Sequence, residues 1–261
     1  MTAPRKQQGS PVPHVERESP TAADSTGATG ATKRPRGVGL PAARRLTPPT
    51  LTHEAAAAVL AERDPVLARL IAIVGPPTLR PPHDSHFAAL VRAITYQQLA
   101  GPAATAIHGR LVALLADDVS PERVLAQSRG ALRSVGLSEA KALSITDLAA
   151  KTIDGTVVLD RRGIARLSDE EIITRLSTVR GIGRWTAEMF LMFQLQHLDV
   201  WPTGDLGVRK GYGLIYGVAT PTPKELIDLG ERFRPYRSVA AWFCWRAVEQ
   251  ARQTGPTAVT A

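Results

Sequence analysis

One carboxylate stands out by its setting. In Leu198-Asp199-Val200-Trp201-Pro202-Thr203-Gly204-Asp205-Leu206-Gly207-Val208-Arg209-Lys210-Gly211, Pro202 and Gly204 break the preceding element and Asp205 opens the next. At a helix N-cap a carboxylate accepts backbone amides and feels the positive end of the helix dipole, a structural role that needs no chemistry. A fixed anion in that position can also stabilise a developing cation, or orient and deprotonate a water. Asp199 lies across the Pro/Gly loop with nothing to fix its separation, so the two aspartates do not read as an acid–base pair. Lys210, five residues past Asp205, is the nearest amine and reads as a phosphate contact or a solvated charge.

The second informative stretch is Leu176-Ser177-Thr178-Val179-Arg180-Gly181-Ile182-Gly183-Arg184-Trp185-Thr186-Ala187-Glu188-Met189-Phe190. An amphipathic helix enters, Gly-Ile-Gly turns the chain, and an apolar helix leaves. The glycines accept backbone angles forbidden to other residues and let another backbone or a phosphate approach closely. Ile182 can plug the gap between the helices. The amides of Gly181, Gly183 and Arg184 then lie at a helix N-terminus, a natural phosphate site, with the Arg184 cation beside it. An ordinary αα-hairpin can also carry Gly-x-Gly. The longer pattern Leu-x-x-Val-x-Gly-Ile-Gly-x-x-Thr-Ala is far more specific.

Composition narrows the classes. A chain of 261 residues with 44% hydrophobic and 21% charged residues suits a globular protein with a sizeable core. The single cysteine, Cys244, excludes a disulfide framework, a thiolate zinc site and a cysteine-ligated iron–sulfur cluster, and reads as a buried apolar residue. No apolar run is long enough to span a membrane and no secretory signal is visible, so an intracellular protein is expected, cytoplasmic or nucleoid-associated (nuclear in a eukaryote). The net charge of +8 suits a polyanion partner, although eight basic and three acidic residues of the first fifty carry most of it.

Residues 1–49 hold eight prolines, five glycines and no aromatic residue, and are expected to be a disordered basic tail. Its Lys33-Arg34-Pro35-Arg36 cluster reads mainly as solubilising. Residues 50–261 form the expected domain. Ala55–Ala61 is a run of helix formers, and Pro65 suits a first helical turn. Phe87, Leu90, Val91 and Ile94 follow the spacing of a buried helix face. Pro102, Ser120-Pro121, Ser138, Ser168 with Glu171, Thr222-Pro223 and Ser238 each mark a helix start. Thr156–Leu159 is too short and isolated to count as a strand. The pattern predicts an all-α fold of about ten helices, with no fixed-period repeat.

Taken together, the hairpin (about residues 176–190), the Pro/Gly loop and the helix-opening Asp205 resemble the signature of the helix-hairpin-helix (HhH-GPD) DNA glycosylase superfamily. Gly181–Ala187 and Gly204–Lys210 are similar to its DNA-3-methyladenine glycosylase II branch, and the likeness covers about Phe87 to Val248. The resemblance implies two helical lobes without an N-terminal β domain, the first and last segments packing together in one of them. It implies a monofunctional glycosylase of base excision repair, acting on alkylated purines (3-methyladenine, 7-methylguanine) flipped from duplex DNA, with Asp205 catalytic. An alkylated purine is already cationic and leaves without protonation, so no general acid is needed. Bifunctional relatives carry a lysine where Trp185 stands, so no lyase activity is expected. A glycosylase for hypoxanthine, uracil or ethenoadenine, and a non-catalytic DNA-binding module, are the alternatives.

The resemblance also implies site roles. Trp185, in the first turn of the hairpin's second helix, faces the start of the Asp205 helix, and Trp245 and Tyr236 either match positions near the base pocket or pack in the core; aromatic faces there attract a cationic base, and Met189 falls where some relatives place a pocket tyrosine. Gly181, Ile182, Gly183, Arg184 and Thr186 correspond to the hairpin that grips the DNA backbone. Tyr96-Gln97-Gln98-Leu99-Ala100-Gly101-Pro102 is similar to the wedge turn, with Gln98 or Leu99 entering the duplex as the damaged base leaves it. The expected partner of the chain, a monomer in this reading, is double-stranded DNA with damaged bases; no membrane is involved. No metal or other cofactor is expected, and a monovalent cation at the hairpin carbonyls is left open for the DNA-bound state.

Overall fold

The structure, a computed structural model, describes residues 52–79 and 82–254. The expectations for residues 1–49 lie outside these. Among the described residues there are thirteen α-helices and no strand: α1 (His53–Arg63), α2 (Pro65–Val74), α3 (His86–Tyr96), α4 (Gly101–Leu114), α5 (Pro121–Leu125), α6 (Arg129–Ser134), α7 (Glu139–Ile153), α8 (Arg161–Ile164), α9 (Asp169–Ser177), α10 (Arg184–Met189), α11 (Leu206–Tyr216), α12 (Pro223–Gly230) and α13 (Arg237–Thr254). A π-helical turn, Phe190–Gln194, extends α10, and a 3₁₀ turn, Glu231–Phe233, follows α12. The all-α expectation holds. Helix α5 begins at the expected Ser120-Pro121 start, and the count exceeds ten because α6 and α8, of six and four residues, are too short to show a period.

Local chemistry starts most of these helices. Hydroxyls of Thr52, Ser85, Ser120, Ser128, Ser138, Ser168 and Thr222 each accept an amide of the first turn. At Ser168 and Thr222 the glutamate three residues on reaches back to the cap amide, closing reciprocal boxes. Each such cap is worth about 1 kcal/mol. Phe87, Leu90, Val91 and Ile94 are all buried on one face of α3.

Ser238 departs from expectation. The last helix begins one residue earlier, and Ser238 is buried inside it. Its hydroxyl donates to the His197 carbonyl at 2.6 Å and accepts the Val200 amide at 2.9 Å. That tie to the 197–200 loop occupies the group a cap would use.

The helices pack in two groups. In one, α1 and α2 lie against α11 and α13; in the other, α3 packs on α4 and α7, α7 on α5 and α6, and α9 on α10. The first and last segments thus share a lobe. Asp64 knits that lobe: it caps α2 through the Val66 and Leu67 amides, accepts the Tyr216 hydroxyl at 2.6 Å and pairs with Arg232 at 2.9 Å. Burial drives the Tyr216 hydroxyl far above its ordinary titration range, and its bond to Asp64 adds to this. Among the described residues no helix is long and apolar enough to cross a membrane.

Candidate active site

Asp205 caps α11, its Oδ1 accepting the Val208 amide at 2.8 Å. The turn before it is closed by its own amide, which donates to the Pro202 carbonyl at 2.9 Å. Two indoles complete the carboxylate's shell. Trp245 Nε1 donates to Oδ1 at 2.9 Å and Trp185 Nε1 donates to Oδ2 at 2.7 Å. Trp245 belongs to α13 and Trp185 to α10, so a side chain from each lobe reaches the same carboxylate. Asp205 itself is half-buried, and the Trp185 ring is 42% exposed.

Sequence reasoning missed three neighbours. Phe193, on the π-helical turn, stacks on Trp245 with ring centroids 5.9 Å apart and planes 26° apart. A π-turn is an irregularity that often marks functional sites, but no residue pattern announces it. Leu206, adjacent to Asp205, is 44% exposed and adds an apolar surface. Glu188, one turn beyond Trp185, is buried and bonded to Arg184 at 3.0 Å. Burial holds its carboxyl above the usual range against the pull of Arg184, and the Asp205 charge pushes the same way. Only the Arg184/Glu188 spacing of four residues was a visible signal.

The hairpin has the expected form. Gly181 has φ +77°, and a Cβ there would lie 2.6 Å from Ser144 Oγ, so both conformation and space require glycine. Ile182 is 3% exposed and its amide donates to the Val179 carbonyl. Gly183 precedes α10 without a side-chain cap, and a Cβ there would meet open space. Helix α7 braces the turn. Asp147 accepts the Arg180 amide at 2.7 Å, while Lys151 bonds both Asp147 and the Thr178 carbonyl. Burial pushes the Asp147 carboxyl up, but the Arg180 amide and Lys151 more than reverse this and hold it below the usual range.

Other predicted residues fall elsewhere. The Arg184 guanidinium is already held by Glu170, at 2.7 and 2.9 Å, and by Glu188. Thr186, on α10, is buried. Met189 is partly buried against the core. Tyr236 immediately precedes α13, nine residues before the mid-helix Trp245 and so about 13 Å from it along the axis, with the Arg63 guanidinium over its ring. It is therefore not brought to Asp205. Asp199 is bound by Arg234 and Arg237, which explains why it forms no pair with Asp205. Gln98 is exposed with φ +57°, and Leu99 is partly buried. Lys210 is exposed on α11, and Cys244 is buried, its thiol pushed up by that burial. Among the described residues no group of three or more His, Cys, Asp or Glu side chains is placed to hold a metal.

The sequence and fold have clear relatives. Residues 91–235 match the family described as HhH-GPD superfamily base excision DNA repair protein. The chain is 34% identical over 195 residues to DNA-3-methyladenine glycosylase 1 of Schizosaccharomyces pombe, covering 72% of this chain and 84% of that protein. Its fold is similar to the crystal structure of a DNA-3-methyladenine glycosidase from Bacillus halodurans, with a TM-score of 0.70, 33% identity and coverage of 77% and 92%. It is also similar to the S. pombe 3-methyladenine DNA glycosylase Mag1 in complex with abasic DNA, with a TM-score of 0.64, 33% identity and coverage of 74% and 96%. The family match over more than half of the chain, together with these relatives, shows that the chain belongs to the HhH-GPD superfamily of base excision DNA repair proteins.

Proposed function

We propose that this chain is a monofunctional DNA glycosylase that hydrolyses the N-glycosidic bond of alkylated purines, 3-methyladenine and 7-methylguanine, everted from duplex DNA. The carrying observation is the Asp205 carboxylate, held by one backbone amide and two indole N–H groups where the lobes meet. The relatives named for 3-methyladenine release support the substrate class, and the relative bound to abasic DNA supports duplex DNA as partner.

The chemistry follows from charge. As the C1′–N bond breaks, the bonding pair leaves with the base and the deoxyribose becomes oxocarbenium-like. The Asp205 anion stabilises that cation electrostatically. A water then adds at C1′ and passes its proton to Asp205 and on to solvent. A cationic purine leaves neutral, so no acid donates to it. The exposed Trp185 face offers stacking and cation–π attraction to such a base. An indole has no amine to form a Schiff base with the sugar, so the product is an abasic site in an intact strand. The uncapped start of α10 and the Gly183 backbone receive a phosphate, with Arg184 held nearby by Glu170 and Glu188.

The test is incubation with methylated duplex DNA, identification of the released bases, and assay for nicks without added base. Wild-type protein releases methylated purines and leaves no nicks. Asp205→Asn keeps abasic-DNA binding while release falls by about 10²–10³-fold, the scale of a lost electrostatic stabiliser. Retained turnover in that variant overturns the assignment.

A further inference from the structure

Gln97 and Gly181 stand 84 residues apart in the chain, yet Gln97 Nε2 donates to the Gly181 carbonyl at 3.1 Å. Gln97 ends α3, its amide donating to Ile94 at 3.4 Å. The next residue, Gln98, has φ +57°, a left-handed conformation that L side chains rarely adopt, and its side chain is exposed. Leu99 closes the turn through the Tyr96 carbonyl at 3.3 Å, and α4 follows. On the other partner, the hairpin's own turn uses the Val179 carbonyl and leaves that of Gly181 to Gln97. The bond thus joins the two turns that lie nearest the glycine hairpin and the strained glutamine.

We propose that Gln97 is a positioning residue that locks the 97–99 turn to the glycine hairpin, so that gripping the strand and inserting Gln98 into the stack occur as one movement. The proposal rests on the reading of this chain as a base-everting glycosylase. Gln97 is only partly buried and Gly181 is exposed, so water replaces the bond at little expense to folding. Its effect falls instead on the relative placement of the two turns. Without it the strained backbone at Gln98 relaxes independently of the hairpin, and bound DNA is held without being entered.

The test uses a duplex with a tetrahydrofuran abasic analogue opposite 2-aminopurine, whose fluorescence rises when insertion unstacks it. This readout needs no catalysis. Wild-type protein binds and raises the signal, and Gln98→Ala binds without raising it. Gln97→Ala, and Gln97→Glu, which keeps the length but loses the N–H, bind within about threefold of wild type yet lose most of the signal at saturation. Their melting temperatures stay within about 3 °C. A full signal from either variant overturns the proposal, as does a loss of binding parallel to the loss of signal. No rise with wild-type protein also overturns it. Failure to release methylated bases, measured separately, counts against the glycosylase reading alone.

Discussion

Gly207 lies so close to Trp245 that a Cβ added to it would stand 2.7 Å from Cδ1 and 3.0 Å from Nε1 of the indole, and 3.0 Å from Asp205 Oδ1. The absent side chain at position 207 is therefore what lets the α13 indole reach the α11 cap. Glycine within a helix costs about 1 kcal/mol relative to alanine, so this position gives up local stability to hold the site together.

That trade makes Gly207→Ala informative. The gain in helix propensity of about 1 kcal/mol opposes an overpacking cost of about 1–3 kcal/mol, leaving a small change in stability. Displacement of Trp245 or Asp205, in contrast, is expected to slow base release by about tenfold or more, since small misplacements of reacting groups are expensive. Thermal unfolding and single-turnover release, measured on the same preparation, check both halves. A normal rate would show that the carboxylate does not depend on Trp245.

The two roles available to Trp185, carboxylate donor and stacking face, separate by substitution. Trp185→Phe keeps an aromatic face and removes the N–H from Asp205 Oδ2. A hydrogen bond to a charged group is worth about 1.5–3 kcal/mol, so release should fall by about tenfold to a hundredfold for every substrate alike. Trp185→Ala removes the face as well, and the additional loss should fall on cationic purines more than on neutral ones. Release rates for 7-methylguanine and hypoxanthine from matched duplexes decide this. Equal rates for the Phe variant and wild type would leave Trp185 with stacking alone.

Much of this arrangement is visible before folding because it depends on neighbours in sequence. The hairpin, the Asp205 cap and the capping boxes at Ser168 and Thr222 use residues within one or two turns of each other, so spacing reveals them. Contacts between distant segments leave no such trace. Nothing near Gln97 announces the Gly181 carbonyl, and nothing near Ser238 announces the 197–200 loop, so its hydroxyl reads as a cap. Arg184 reads as a free cation for the same reason: Glu170 sits on the preceding helix, brought within 2.7 Å only when the hairpin closes. Tyr236 and Trp245 look equivalent as aromatic residues near one helix, yet Tyr236 stands just before its first turn and Trp245 two turns further along. The π-turn that presents Phe193 depends on backbone hydrogen bonding, such as the Leu195 amide to the Phe190 carbonyl, that side-chain periodicity does not encode.

Glu188 gives the last prediction, one of pH. Burial holds its carboxyl above the usual carboxylate range, the Arg184 guanidinium pulls the opposite way, and Glu170 and Asp205 add repulsion. A group whose folded value is raised favours the folded state when protonated. Its contribution is fully present below the unfolded value of about 4.3 and is lost as pH rises through the folded value. Glu188→Gln keeps an oxygen for Arg184 Nε and carries no charge. The variant is therefore expected to match wild type near about pH 4 and to become progressively more stable than it toward neutral pH. Denaturant unfolding of both proteins across that range measures the difference. A gap independent of pH, or a less stable variant at neutral pH, would show that Arg184 keeps the buried carboxylate comfortably ionised.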